Sequence, residues 1–139
     1  MRTLHFGLRV ADLERSLAFY TAVGYEVVGS VPETPIGHLT MLKLPDDDFV
    51  TIELVHEPGR AEADRGAGLS HFVIKVESMA ATVAALAAEG VEAETPASPD
   101  GSGDFRTTMI TDPDGNRIEL VQWPAGHPDG MTADDWRKE

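Results

Sequence analysis

The chain has 139 residues, 42% of them hydrophobic, with 11 basic against 24 acidic side chains, a formal net charge of −13, and no cysteine. That content supports one domain, or two small packed halves, with a buried core. The acidic balance argues against nucleic acid or an anionic membrane surface as partner, because both would repel it. The lack of cysteine excludes disulfides, thiolate nucleophiles and cysteine-ligated zinc. No apolar signal core opens the chain and no run approaches a membrane span, so a soluble cytoplasmic protein is expected.

An internal repeat organises the elements. His5-Phe6-Gly7-Leu8-Arg9-Val10 lies over His71-Phe72-Val73-Ile74-Lys75-Val76 at an offset of 66 residues. At the same offset Ala18 falls on Ala84, Gly24 on Gly90 and Glu26 on Glu92, and Ile52-Glu53-Leu54-Val55 falls on Ile118-Glu119-Leu120-Val121, with Pro58 on Pro124. Each copy reads as a strand (3–10 and 69–76) followed by an amphipathic helix. Asp12 or Ser78 caps the helix start, and Gly24 or Gly90 stands just past its end. Leu13, Leu17 and Tyr20 repeat at helical spacing in the first helix, and alanine dominates the second. Three strands follow in each copy: 25–31, 38–44 and 49–56, then 91–95, 104–111 and 116–123. Pro45-Asp46-Asp47-Asp48 and Asp112-Pro113-Asp114-Gly115-Asn116 break the hairpins. The expected fold is α+β: one domain of two tandem βαβββ modules (1–58 and 68–124) forming a curved mixed sheet, with a linker (59–67) and a tail (125–139). The tail is expected to be loosely ordered, although Thr132-Ala133-Asp134-Asp135 can cap a short turn carrying Trp136, which would then be placed to dock on a partner subunit.

The repeat aligns ionisable residues. His5 pairs with His71 and Glu53 with Glu119, each His in the first strand of its module and each Glu in the last. Side chains alternate along a strand, so Ile-Glu-Leu places Glu on the face opposite its apolar neighbours. Two imidazoles and two carboxylates converging on one face suit a divalent transition metal. A solvent-facing Glu has no reason to recur in register with a recurrent His. The other histidines lack such partners: His38 falls on Asp104, His56 on Gln122, and His127 lies in the tail. His56 is close enough to Glu53 in sequence to line the same cleft.

Residues 4–10, Phe19-Tyr20, Ile52-Glu53-Leu54, Ser70-His71-Phe72 and 112–120 together resemble the vicinal oxygen chelate superfamily, which is built from paired βαβββ modules. Within it the chain is most similar to bacterial glyoxalase I (lactoylglutathione lyase). The resemblance implies a metal-dependent lyase. Its substrate is the hemithioacetal of methylglyoxal and a low-molecular-weight thiol such as glutathione. The product is a 2-hydroxyacyl thioester, reached through an enediolate. It further implies His5, Glu53, His71 and Glu119 as ligands of one divalent ion per site (nickel, cobalt or zinc). It implies Glu119 as the base, with Glu53 assisting. It also implies a homodimer in which each site takes His5 and Glu53 from one chain and His71 and Glu119 from its mate.

Arg9 matches the family's arginine for a glutathione carboxylate. Glu57 stands where the family has asparagine, and residues 98–104 lack the expected basic side chain, for which Arg106 is the candidate substitute from a neighbouring place. These departures leave the thiol open. Two other readings compete: another metal-dependent enzyme of the superfamily (epimerase, dioxygenase or thiol transferase), and a non-catalytic small-molecule binder like the bleomycin-resistance proteins.

Overall fold

Two short helices and seven strands are built from these signals in a computed structural model that describes residues 1–59 and 68–137. The expected linker falls almost wholly outside the described residues. The chain divides into two compact units, Met1–Ser70 with Asp112–Asn116, and His71–Thr111 with Arg117–Glu139.

In unit 1, β1 (Phe6–Arg9) leads into α1 (Leu13–Val23), then β2 (Glu26–Val31), β3 (His38–Lys43) and β4 (Ile52–His56). The Asp12 side chain accepts the Arg15 N–H at 3.0 Å, which satisfies one donor that the first turn leaves unpaired. Gly24 ends the helix at φ 124°, a conformation that favours glycine. The sheet order is β1-β4-β3-β2, with β1 parallel to β4 and the other neighbours antiparallel. Tyr20, Leu42, Ile52 and Leu54 are fully buried at its core. Ser16, which the helical spacing passes over, is buried as completely as Tyr20, because its hydroxyl donates to Asp114 at 3.2 Å.

In unit 2, β5 (His71–Lys75) leads into α2 (Met79–Ala88), then β6 (Arg106–Thr111) and β7 (Arg117–Gln122), ordered β5-β7-β6. Ser78 caps α2, and Gln122 Oε1 accepts the Met79 N–H at 2.7 Å. The expected strand at 91–95 is not formed. That segment follows β6 through Glu94 N–H to Met109 O (3.0 Å) and the Thr108 hydroxyl donating to Glu94 O (2.6 Å), and backbone pairing resumes at an isolated bridge between Ala97 and Thr107. Between those backbone contacts one side advances three residues and the other two, and Pro96 supplies no N–H, so a regular ladder cannot propagate.

The parallel registers preserve the repeat: Phe6 pairs with Ile52 and Phe72 with Ile118, both shifted by 66. The hairpins do not. Met41 pairs with Glu53 but Met109 with Glu119, so the second hairpin is two residues shorter. His38, opposite His56, therefore corresponds to Arg106, opposite Gln122, and not to Asp104.

The tail folds within unit 2. Trp123 stacks between Phe105 (centroids 5.2 Å) and His127 (4.4 Å). Ala133–Trp136 forms a 3-10 turn with the expected Thr132/Asp135 capping box, leaving Trp136 72% exposed. No helix among the described residues is long and apolar enough to cross a membrane.

Candidate functional site

Strand alternation separates two faces of each sheet. In unit 1, Ile52 and Leu54 are buried on the core face, while Glu53 points to the other and retains 15% side-chain exposure. Because Gly7 stands beside Glu53 in the parallel register, His5 and Arg9 share that second face. The His5 Nε2 to Glu53 Oε2 distance is 3.1 Å. The two residues lie 48 positions apart and meet diagonally across β1 and β4.

A second diagonal pair spans the same interval. Arg9 Nη1 donates to Glu57 Oε1, again across 48 positions. Sequence reading singles out both residues but not their contact. The signal was the spacing itself, since a carboxylate 48 residues beyond Arg9 sits where Glu53 sits relative to His5.

In unit 2 the register sets Val73 beside Glu119 and His71 beside Arg117, so His71 and Glu119 share one face two positions apart in register. Ile118 and Leu120 are buried on the opposite side. Lys75, the repeat partner of Arg9, shares the face of His71 and Glu119. Its Nζ lies 2.7 Å from Glu77 Oε1 and 2.9 Å from Asp129 Oδ1. Hydrogen bonds to Asp129 and then Glu77 hold its pKa above the usual lysine range.

Two expected substrate contacts fall elsewhere. His56 stands three positions from Glu53 in an unbroken register, so alternation puts it on the core face with Leu54. Arg106 pairs with Gln122, whose side chain reaches back to α2, and so shares the face opposite Glu119. Neither side chain shares a face with a His/Glu pair.

The donor chemistry of each unit fits part of a transition-metal shell: one imidazole nitrogen and one carboxylate on one face. Among the described residues of a single chain, no three His, Asp or Glu side chains gather closely enough to hold an ion.

The family model for the glyoxalase/bleomycin resistance protein/dioxygenase superfamily matches residues 2–120. A probable lactoylglutathione lyase of Vibrio parahaemolyticus is 34% identical over 124 residues, 87% of this chain and 90% of that protein. A probable chloroplastic lactoylglutathione lyase of Arabidopsis thaliana is 33% identical over 124 residues, 87% of this chain, but the chain spans only 35% of its length. The solved trypanothione-dependent glyoxalase I of Leishmania major is 30% identical with a TM-score of 0.67, covering 88% of this chain and 86% of that one. The α+β architecture is the vicinal oxygen chelate fold, and the chain belongs to the glyoxalase/bleomycin resistance protein/dioxygenase superfamily.

Proposed function

We propose that the protein is a metal-dependent lyase of the glyoxalase I type. It isomerises the hemithioacetal of methylglyoxal and a low-molecular-weight thiol to a 2-hydroxyacyl thioester. The observation that carries this reading is the His5–Glu53 contact at 3.1 Å on one sheet face, repeated in register by His71 and Glu119. Relatives named lactoylglutathione lyase support it.

His5, Glu53, His71 and Glu119 would hold one divalent ion, with nickel, cobalt and zinc all suited to imidazole and carboxylate donors. When bound, the metal supplies Lewis-acid polarisation of the two adjacent substrate oxygens. The chain's own residues do the rest. His5 and His71 would stay in place as ligands. Glu119 takes the proton from the carbon bearing sulfur, and the same proton returns to the neighbouring carbon, with Glu53 assisting. The substrate's oxidation and reduction are internal, so no nicotinamide is required. We further propose a cytoplasmic C2 homodimer in which each site draws His5 and Glu53 from one chain and His71 and Glu119 from its partner.

The test is metal content of untagged protein beside His71→Ala, followed by turnover of methylglyoxal adducts of several thiols. About one ion per chain, lost in the variant, with thioester formation is the expected result. No metal bound after incubation with nickel, cobalt or zinc overturns the enzyme reading in favour of a small-molecule binder.

A further inference from the structure

The face that carries His5 and Glu53 carries Arg9 four residues further along, and Arg9 is ion-paired with Glu57. The equivalent cation of unit 2, Lys75, is held by Glu77 and Asp129 and lines a cavity of about 370 Å³ together with Glu77, Asp104 and Trp123. The cations in equivalent places beside the two His/Glu pairs are thus each matched by a carboxylate of their own unit.

A cation attracts an incoming anion only to the extent that neighbouring anions do not cancel it. The Arg9 and Glu57 side chains are 42% and 39% exposed, so their pair is solvated and opens without large cost. Opening it leaves Glu57 beside Arg9, and Glu53 remains on the same face. A ligand carboxylate brought to Arg9 therefore replaces one carboxylate with another and meets the repulsion of the one displaced. A hydroxyl or amide escapes that repulsion, and an ammonium gains from it.

We propose that Glu57, by holding Arg9, makes this site select against a carboxylate on the thiol arm of its substrate. The thiol is neutral or cationic at its far end, unlike the anionic peptide glutathione. The proposal rests on the hemithioacetal reading above and deepens it.

Titration calorimetry on the intact, metal-loaded protein compares S-methylglutathione with its dimethyl ester, one skeleton with its carboxylates free or masked. The unaltered protein is expected to bind the diester at least about tenfold more tightly, and Glu57→Gln to bind the two within about threefold. Adding Arg9→Gln to Glu57→Gln should abolish the gain for the free acid, because that gain acts through Arg9. Glu57→Asn provides a second variant should the Gln protein melt early. Equal binding by the unaltered protein, tighter binding of the free acid, or no binding of either form overturns the proposal. Turnover is scored separately. The binding preference with no turnover of any adduct sinks the lyase reading and leaves the selectivity standing. Turnover that favours the glutathione adduct sinks the selectivity and leaves the lyase reading intact.

Discussion

Tyr20 and Asp112 lie 92 positions apart in the chain and 2.6 Å apart in space, the phenol donating to a carboxylate that is only 4% exposed. Asp112 also accepts the backbone N–H groups of Asp114 (3.0 Å) and Asn116 (2.7 Å) and the Asn116 side-chain amide (2.9 Å). Four donors thus satisfy a buried charge that would otherwise be costly. Burial and then Asp112 push the Tyr20 pKa upward, which keeps the phenol a donor. Two residues on, Asp114 accepts the Ala11 N–H at 3.1 Å and the Ser16 hydroxyl, so the 112–116 turn is held against the start and middle of α1.

Tyr20→Phe should therefore destabilise the protein by about 1–3 kcal/mol, since it leaves a buried carboxylate one donor short while keeping the ring. Urea unfolding should show a lower midpoint with an unchanged slope. A midpoint shift worth under about 0.5 kcal/mol would mean that water replaces the phenol.

Gly37 adopts φ 122°, and a Cβ there would stand 2.7 Å from the His56 carbonyl oxygen. Backbone offers no flexible end to move aside. Gly37→Ala should cost about 1–3 kcal/mol and lower the melting temperature. Gly29→Ala, where a Cβ meets nothing within 4 Å, is the control and should change little. Equal melting of the two variants would refute the strain argument.

The two-chain sites proposed above predict complementation. His5→Ala and Glu119→Gln should each be inactive alone. Mixed and allowed to exchange, they form hybrids with one intact site and one doubly altered site. Activity should recover to about one quarter of the unaltered level, because about half the dimers are hybrids with one site of two. No recovery, with exchange verified by mass, would place each site within one chain.

His127 Nε2 lies 2.7 Å from Asp135 Oδ1, and its Nδ1 is 2.7 Å from the Pro128 carbonyl. Asp135, and then that carbonyl, raise the His127 pKa above 6.5. The protonated ring is thus favoured in the folded tail. Its stabilisation is complete below the unfolded value and is lost as pH rises through the folded value. An NMR titration should give a His127 pKa above 6.5 that falls back towards 6.5 in Asp135→Asn. An unshifted value in the unaltered protein would exclude the pair in solution.

Much of the architecture was legible because it depends on local chemistry. The 66-residue repeat, the caps at Asp12 and Ser78, and Glu53 and Glu119 set against buried neighbours all follow from short-range pattern. Nearness in the chain misplaces His56 beside Glu53, whereas alternation over their odd three-residue interval puts it on the core face. The 91–95 segment misled because hydrogen bonding, not composition, decides a strand, and Pro96 breaks the ladder.

By itself the sequence determined which side chains share a strand face, since alternation is a property of the backbone alone. Which residues of different strands touch is decided by register, and register depends on packing across the whole sheet. Only the tertiary structure could pair His5 with Glu53 and Arg9 with Glu57 across the same 48 positions. The same parallel alignment that joins a candidate ligand pair also sets a carboxylate against the neighbouring arginine.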